Sequence, residues 1–426
     1  MDTIFARATA PGKAGVAIVR VSGPAADKCL ATFGIKSVPP YRYATLCELL
    51  SDGRLLDQAL ILRFEAGHSF TGESVVELQV HGSPAVVDQM LLILGNVPGY
   101  RLAEPGEFTH RALLNNRLDV TQVEALADLI DAETEEQRRQ AITGFSGVFS
   151  DRIEGWRMDL LRAAALMEAT IDFAEEDVPV DVFPEVGALI DGLLLDWERE
   201  IGHVNVAERI RNGFTVAIVG QPNVGKSTLL NRIAQRDVAI TSKLAGTTRD
   251  VLEVRLDLEG LPVTLLDTAG IRESSDEIEA AGIERAVDRA KAADLRIFLG
   301  PLAREDLKLN EDICVDAKAD LTGLDPGSGV SGLTGHGVSE LLSRIVVVLR
   351  GRIALDGTAT QSRHAQALTL SLEILREARS RLHHAGEAEL VAEDLRRTVG
   401  LMDGLVGRIG VEDLLGEIFS SFCIGK

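Results

Sequence analysis

The order of apolar and polar residues changes character twice along the chain. Up to about residue 118, short apolar runs of strand length alternate with stretches rich in Gly and Pro. The runs with strand character are residues 16–21, 59–64 and 75–80. Apolar residues at helical spacing in 83–94 and 108–115 predict helices between and after them. Together these elements predict an α+β domain over residues 1–118.

From residue 119 the apolar residues recur at helical spacing, and Gly and Pro become scarce except at the joints. The predicted helices are residues 119–143, 151–173 and 185–212, and later 362–384, 389–406 and 412–422. Between these two stretches, strands and helices alternate. The pattern predicts a helical domain in two parts, 119–212 and 351–426, interrupted by an inserted α/β domain over 213–350. Such insertion is well tolerated because the chain ends of a compact domain often lie close together.

A phosphate-binding loop opens the inserted domain. The sequence GQPNVGKS at 220–227 follows an apolar run of strand length, 214–219, and leads into a predicted helix at 227–233. This context is the one that the GxxxxGK[ST] pattern requires, because backbone N–H groups and the helix N-terminus must face the phosphates. Lys226 would carry a positive charge to the terminal phosphates, and the Ser227 hydroxyl would be a magnesium ligand.

Two further motifs follow in the order expected of a GTPase. The sequence GTTRD at 246–250 places Thr248 where it would complete the magnesium shell in the presence of the γ-phosphate. The sequence DTAG at 267–270 follows a predicted strand, so that Asp267 would reach the magnesium through water and Gly270 would donate its N–H to the γ-phosphate. Each motif alone is an ordinary turn, but their order and spacing predict a Ras-like G domain.

Recognition of the base is predicted from two later segments. AKAD at 317–320 stands where GTPases usually have Asn-Lys-x-Asp, so Asp320 would accept from the guanine N1 and N2 donors and Lys318 would lie over the ring. Ala317 lacks the amide of the usual Asn, which leaves its effect on guanine affinity open. The second loop at the base edge is predicted at Ser331, Gly332 and Leu333, which also departs from the usual Ser-Ala-Lys.

The position after DTAG does not hold the expected water-orienting residue. Small signalling GTPases have Gln there, and this chain has Ile271, which has no polar side-chain atom. Either the intrinsic rate is low, or another group orients the water and another charge neutralises the transition state. The acidic stretch 272–279 offers candidate carboxylates, although most acids of such a stretch belong to a solvated loop.

These G motifs, the helical flanks and the last four residues, CIGK at 423–426, together resemble the MnmE (TrmE) family of tRNA modification GTPases. The similarity extends from Thr3 to Lys426. The resemblance implies an N-terminal α+β domain similar to folate-binding domains, a discontinuous helical domain and an inserted Ras-like P-loop G domain. It also implies a potassium-stimulated GTPase, with its two G domains meeting across a homodimer, that modifies C5 of the wobble uridine in tRNA. The implied partner is a flavin-dependent protein of the MnmG/GidA type, which carries FAD, and the implied one-carbon donor is a tetrahydrofolate derivative.

The resemblance also assigns roles to individual residues. It implies potassium ligation by Asn223, Ser242, Leu244 and Thr247, magnesium ligation by Ser227 and Thr248, and catalysis by Lys226 and by Glu279, which would orient the water indirectly. The implied folate-binding residues are Arg20, Glu77, Arg117 and Lys426, with Arg117 at a position that is more usually Lys. Cys423 is given no catalytic role, since a cysteine near a helix end is often a small buried apolar residue.

The whole predicted GTP site draws on five segments of the G domain. Its members are Asn223, Val224, Gly225, Lys226, Ser227 and Thr228; Ser242, Lys243, Leu244, Ala245, Gly246, Thr247 and Thr248; Asp267, Thr268, Ala269 and Gly270; Lys318 and Asp320; and Ser331, Gly332 and Leu333.

Composition and charge limit the choice of function. The 426-residue chain carries a net charge of −21, which argues against a protein that coats itself in nucleic acid, so any contact with tRNA needs a local basic patch or a partner. The four scattered cysteines form neither a disulfide framework nor a zinc motif. The N-terminal residues lack the apolar core of a secretory signal, and no apolar run reaches the ~18 residues of a membrane span. We therefore expect a cytoplasmic protein.

Two alternatives stay open at this point. One is a ribosome-assembly GTPase of the Era or Der type, although no GxxG loop in a basic setting follows residue 350. The other is a non-enzymatic scaffold that only binds nucleotide and folate.

Overall fold

The computed structural model describes residues 2–172, 181–221, 223–236, 238–240, 253–267, 287–301, 305–353, 357–384 and 386–409, and positions 416, 418, 419, 422 and 425. Its contacts divide the chain into two compact units. One unit consists of residues 1–127 with 402–426, and the other of residues 128–401. Within the described residues, no helix is both long and apolar enough to cross a membrane.

The first unit is built on a six-stranded sheet of order β3-β4-β5-β2-β1-β6. Neighbouring strands are antiparallel except β1 and β6, which are parallel. The strands are β1 (Thr3–Arg7), β2 (Ala14–Ser22), β3 (Thr45–Ser51), β4 (Arg54–Phe64), β5 (Val75–Gly82) and β6 (Tyr100–Leu102). Helices of the same unit are α1 (Lys28–Thr32), α2 (Pro84–Gly95), α3 (Glu107–Leu114) and the first part of α4 (Val120–Asp131).

Alternation along the strands explains how this sheet buries one face. In β4, Ala59 and Ile61 are buried, whereas Leu60 between them is exposed. The buried strand residues join Phe33 after α1 and Met90 of α2 in one apolar core. Helices α1 and α2 therefore cover one face of the sheet, and Phe108 of α3 packs with Ile4 and Ala6 of β1 in a smaller core on the other face.

The second unit combines long helices with a second sheet. Its helices are α5 (Glu135–Phe145), α6 (Val148–Asp172), α7 (Phe183–Asn212), α8 (Lys226–Ala234), α9 (Ala319–Thr322), α10 (Val338–Arg352), α11 (Ser362–Arg381) and most of α12 (Ala388–Val406), with a 3-10 turn at Glu305–Leu307. Its strands are β7 (Phe214–Val219), β8 (Glu253–Leu258), β9 (Leu261–Asp267), β10 (Leu295–Leu299), β11 (Ile313–Ala317) and β12 (Gly329–Val330).

This second sheet has the strand order β12-β11-β10-β7-β9-β8 and is parallel except for the β8–β9 hairpin. The central strand β7 is apolar on both faces: Phe214 and Val216 belong to one core, and Ala217 and Val219 belong to another. Burial on both faces is typical of a parallel sheet covered by helices. The carboxyl ends of β7, β9 and β11 consequently meet at one edge, where ligands bind in open α/β sheets.

The chain enters and leaves the inserted sheet at neighbouring points. Helix α7 leads through Gly213 directly into β7, and after α10 the backbone N–H groups of Thr358 and Ala359 donate to the buried Glu200 of α7 at 2.8 and 2.9 Å. Arg152 of α6 also pairs with Glu200, and Arg211 near the entry donates to Gln361 near the exit. This proximity explains how one domain can interrupt another in the sequence.

The predicted fold class, an α+β domain followed by a helical region with an inserted P-loop domain, is confirmed. The prediction of a single helix over 119–143 is wrong, because α4 ends at Asp131 and α5 begins at Glu135. Gln137 accepts hydrogen bonds from the backbone N–H groups of Glu133 and Thr134, which starts a new helix there. Most of the helix predicted at 412–422 lies outside the described residues.

Candidate functional site

The phosphate-binding loop lies between β7 and α8, as predicted. Two residues of the loop have a positive φ: Asn223, with a left-handed backbone at φ of 60°, and Gly225, with φ of 114°. At Gly220, an added Cβ would lie 2.6 Å from the carbonyl oxygen of Leu299 in β10, so only glycine fits there. The loop therefore turns tightly and delivers the N-terminus of α8 to the edge of the sheet, where an anion is favoured.

Lys226 is buried and points back over this loop. Its ammonium group donates to the carbonyl oxygens of Gly220 and Gln221 at 2.7 and 2.9 Å. Burial lowers the pKa of Lys226, and the nearby carboxylate of Asp267 opposes that effect. A buried ammonium that contacts only neutral oxygens in this loop is well suited to receive the oxygens of a phosphate group.

Ser227 and Asp267 come together from different elements. The hydroxyl of Ser227, at the start of α8, donates to Asp267 Oδ2 at 2.5 Å. Asp267 ends β9 and is buried, and parallel pairing of β7 with β9 brings its carboxylate to the phosphate-binding loop. A hydroxyl and a carboxylate in contact at the end of this loop are the hard oxygen donors that magnesium prefers.

A cavity of about 400 Å³ opens beside the loop. Val224, Gly225 and Thr228 line it from the phosphate side, and Lys318, Asp320, Ser331, Gly332 and Leu333 line it from the base side, together with Ala317. Its volume suits a small organic ligand such as a nucleoside. The structure thus brings the two predicted base-recognition segments to one cavity.

Hydrogen bonds and packing fix the geometry of the base loop. Ser331 is buried, its backbone N–H donates to the carbonyl of His336, and its hydroxyl accepts from the N–H of Thr334 at 3.2 Å. Gly332 lies directly against the backbone of α8, where an added Cβ would be only 2.6 Å from the nitrogen of Leu229. The base loop and the phosphate-binding helix therefore support each other.

Several predicted residues of the GTP site lie outside the described residues. These are Ser242, Lys243, Leu244, Ala245, Gly246, Thr247, Thr248, Thr268, Ala269, Gly270 and Glu279. Their assignments, including the potassium ligands other than Asn223 and the magnesium ligand Thr248, stay predictions.

A second cluster lies in the N-terminal sheet. Arg20 of β2 donates from Nε to Glu77 Oε1 of β5 at 2.9 Å, because these residues are directly paired across the two strands. The guanidinium of Arg20 lies 5.6 Å from the ring centre of Phe108 and 5.9 Å from that of Phe70. The pair is only partly buried, so Arg20 can offer its cation to a ligand, and the exposed ring of Phe70 lies beside it, whereas Phe108 is buried.

Arg117 lies near this cluster, and Lys426 falls outside the described residues. Arg117 is exposed beyond the end of α3, and an added Cβ at Gly72 would lie 3.3 Å from its Cγ. Gly72 is two residues from Phe70, which links Arg117 to the same side of the domain. The sequence did not single out Phe70 or Phe108, because two isolated phenylalanines carry no motif.

The strand-loop-helix geometry, the buried Lys226, the paired Ser227 and Asp267 and the adjoining cavity define a P-loop nucleotide-binding protein. Two family models match the chain: the description "GTP-binding protein TrmE N-terminus" over residues 3–117 and "MnmE helical domain" over residues 120–423. The chain belongs to the MnmE family.

Full-length relatives are similar along the whole chain. The chain is 58% identical to a tRNA modification GTPase MnmE of Cereibacter sphaeroides and 54% identical to that of Roseobacter denitrificans, with all of both chains covered in each case. A solved structure of Aquifex aeolicus Era bound to GDP and aluminium fluoride is 26% identical over 38% of this chain and 66% of its own. The TM-score of this comparison is 0.26.

Proposed function

We propose that this chain hydrolyses GTP under stimulation by potassium and, with a flavin-dependent MnmG/GidA-type partner, modifies C5 of the wobble uridine in tRNA. It is a GTP-hydrolysing enzyme of the tRNA modification class, as its family membership indicates. That membership favours it over a ribosome-assembly GTPase and over a scaffold without activity. Since its substrate is tRNA, we propose that it acts in the cytoplasm.

The observation that carries the hydrolase proposal is the contact of Ser227 with Asp267 beside the buried Lys226. On binding, the β- and γ-phosphate oxygens of GTP would replace the carbonyl oxygens of Gly220 and Gln221 as acceptors for Lys226. A triphosphate would also reverse the lowering of the Lys226 pKa, since added negative charge favours the ammonium form. Backbone N–H groups at the start of α8 would hold the remaining phosphate oxygens.

The donors at the end of the loop fit a magnesium ion. Ser227 Oγ would ligate it directly, Asp267 would hold its water shell, and Thr248 is proposed as the further ligand. Held by these residues, the ion would offset the negative charge of the phosphate oxygens during hydrolysis. With both donors already in contact, little rearrangement of the protein is needed to accept the metal.

Potassium is proposed to supply the positive charge that other GTPases receive from an arginine finger. Asn223 is the described member of the proposed ligand set, and its left-handed backbone sits at the turn of the phosphate-binding loop. Ser242, Leu244 and Thr247 complete the set, and two G domains would meet across a homodimer. Because Ile271 has no polar side-chain atom, Glu279 is proposed to orient the attacking water through an intermediary.

The Arg20 cluster is proposed to bind the tetrahydrofolate one-carbon donor, together with Arg117 and Lys426. Support comes from the chemistry of the residues: folates carry a planar ring and carboxylates, and Arg20 lies beside the exposed ring of Phe70 while paired with Glu77. Glu77 would fix the guanidinium in place and accept from ring N–H donors, and the exposed Arg117 would pair with a carboxylate.

The potassium proposal is tested by steady-state GTP hydrolysis in potassium and in sodium at equal ionic strength. We expect a faster rate in potassium, and we expect Asn223→Ala to remove most of that difference while nucleotide binding remains. Equal rates in the two salts would contradict the cation mechanism and leave the GTPase assignment intact. The tRNA proposal is tested by mass spectrometry of wobble uridines from cells lacking the protein, where unchanged nucleosides would contradict it.

A further inference from the structure

We infer that residues 36–44 of the N-terminal domain, here called the tyrosine strip, bind unpaired nucleotides of the tRNA. This inference rests on tRNA being the substrate, as proposed above. The strip joins α1 to β3, and no role in GTP or folate binding has been given to it.

The strip exposes two aromatic rings close together in the sequence. Every residue from Lys36 to Ala44 is at least partly exposed except Pro39, which is buried. The chain has only three tyrosines, and two of them, Tyr41 and Tyr43, lie here with 42% and 66% of their surface exposed. The third, Tyr100, is buried, and its hydroxyl donates to the carbonyl of Ala25 at 2.6 Å. Exposed tyrosine rings offer flat faces on which unpaired bases stack.

Arg42 lies between the two tyrosines in a conformation that a non-glycine residue seldom adopts. Its φ is 59°, a left-handed backbone that costs about 1–2 kcal/mol without glycine. Its backbone N–H donates to the carbonyl of Arg63 at 2.8 Å, and its guanidinium donates to the carbonyl of His68 at 3.1 Å. Arg42 forms no ion pair with a carboxylate of the described residues, so its positive charge stays available to a phosphate.

The base of the strip is rigid. The guanidinium of Arg63 lies 4.2 Å from the ring centre of Tyr41, and it is itself held by both oxygens of Asp27 at 2.9 and 2.6 Å and by the carbonyl of Pro39 at 2.6 Å. Tyr41 is thus stacked on one face by a fixed cation. A pre-formed platform loses little conformational entropy when a ligand binds, so it binds more tightly than a mobile loop with the same residues would.

The strip adjoins the proposed folate cluster. The carbonyl that receives the Arg42 guanidinium belongs to His68, and Phe70 two residues later lies beside Arg20. Residues 68–70 therefore contact the strip through the carbonyl of His68 and the folate cluster through the ring of Phe70. An RNA segment bound on the strip would lie in the neighbourhood of the site proposed to supply the one-carbon unit.

Positive charge and aromatic rings together point to RNA as the ligand of the strip. In a chain of net charge −21, Lys36 and Arg42 are two exposed cations within seven residues that contain no acidic residue. Cations interleaved with aromatic rings are the recurrent means of binding single-stranded RNA, with phosphates paired to the cations and bases stacked on the rings. The unpaired loops of a tRNA present both groups together.

The test measures the binding of the full-length protein to a tRNA transcript with uridine at the wobble position. The same transcript, with its anticodon loop annealed to a complementary oligonucleotide, is the second probe. We expect Tyr43→Ser to raise the Kd about 10-fold, equivalent to about 1.4 kcal/mol, and Tyr43→Phe to stay within about twofold because its ring remains. Arg42→Gly keeps the left-handed backbone, removes the charge and should reduce the salt dependence of binding by about one phosphate contact.

Leu102→Ser is the matched control, since Leu102 is 51% exposed on β6 at the opposite edge of the same sheet. It should leave tRNA binding unchanged, and GTP hydrolysis without tRNA should be equal in all variants. An unaltered Kd in Tyr43→Ser, equal affinity for the annealed transcript, or a change of oligomeric state in Tyr43→Ser would overturn the inference. Absence of tRNA binding by the unmodified protein would instead contradict the proposed function, on which the strip depends.

Discussion

Replacing Gly332 by Ala should separate the base loop from the phosphate-binding helix. An added Cβ would lie 2.6 Å from the nitrogen of Leu229, 2.7 Å from the carbonyl carbon of Thr228 and 2.8 Å from the Cα of Leu229. All three atoms belong to the backbone of α8, which cannot rotate away as a side chain would. The loop must therefore move by several tenths of an ångström, which widens the cavity where the base is expected to bind.

The geometry of this substitution sets its expected effects on stability and on GTP affinity. Overpacking against fixed atoms destabilises proteins by about 1–3 kcal/mol, so we expect that loss in the free energy of unfolding. Displacement of Ser331 and Leu333 should also weaken GTP binding by at least about 10-fold, or about 1.4 kcal/mol. Equilibrium denaturation and titration with a fluorescent guanine nucleotide measure the two effects separately.

Gly327→Ala is the matched control on the loop that precedes β12. An added Cβ there meets no heavy atom within 4 Å, and its φ lies outside the positive range. Its effect on stability should stay within about 0.5 kcal/mol and its GTP affinity should be unchanged. If Gly332→Ala behaved like this control, the close approach of the base loop to α8 would not support the nucleotide site.

Three further results are expected. Arg20→Gln should weaken binding of a tetrahydrofolate derivative about 10-fold in a fluorescence titration, whereas Lys13→Gln, which changes an exposed lysine, should not. Glu200→Gln should lower the free energy of unfolding by about 1.5–3 kcal/mol in urea denaturation, because a buried charged acceptor for two backbone N–H groups is lost. Burial would raise the pKa of Glu107, but hydrogen bonds from Arg101, the Glu104 N–H and Arg111 outweigh it and lower that pKa. The stability that Glu107 contributes should thus be present above pH 4.5 and be lost as the pH falls through the lowered pKa of Glu107. The difference in unfolding free energy between Glu107→Gln and the unchanged protein should therefore shrink as the pH falls through that range.

Motifs with fixed spacing made the nucleotide site predictable from the sequence. The GxxxxGK[ST] pattern, the acidic end of a strand and the two base segments each imply a place on an α/β sheet, and β7, β9 and β11 bring their ends to one edge. The contact of Ser227 with Asp267 follows from that topology. The order of the strands alone places these two residues at the same edge of the sheet.

Contacts between residues that are distant in sequence were not predictable. Gly220 fits against Leu299, and Gly332 against Leu229, because of strand positions that no local pattern encodes. The division between α4 and α5 was missed because no Gly or Pro marks it in the sequence, while the hydrogen bonds from the N–H groups of Glu133 and Thr134 to Gln137 decide the boundary. Phe70 and Phe108 meet Arg20 only in the folded domain.

The most direct test of the nucleotide site is calorimetric titration of GTP into the protein with and without magnesium, using Ser227→Ala as the comparison. Asp267 then loses the hydroxyl 2.5 Å from its carboxylate, and the magnesium ion proposed here would lose a direct ligand. We expect tight, magnesium-dependent binding by the unchanged protein and binding by Ser227→Ala that no longer responds to magnesium. Binding that is equally tight with and without the metal in both proteins would contradict the site described here.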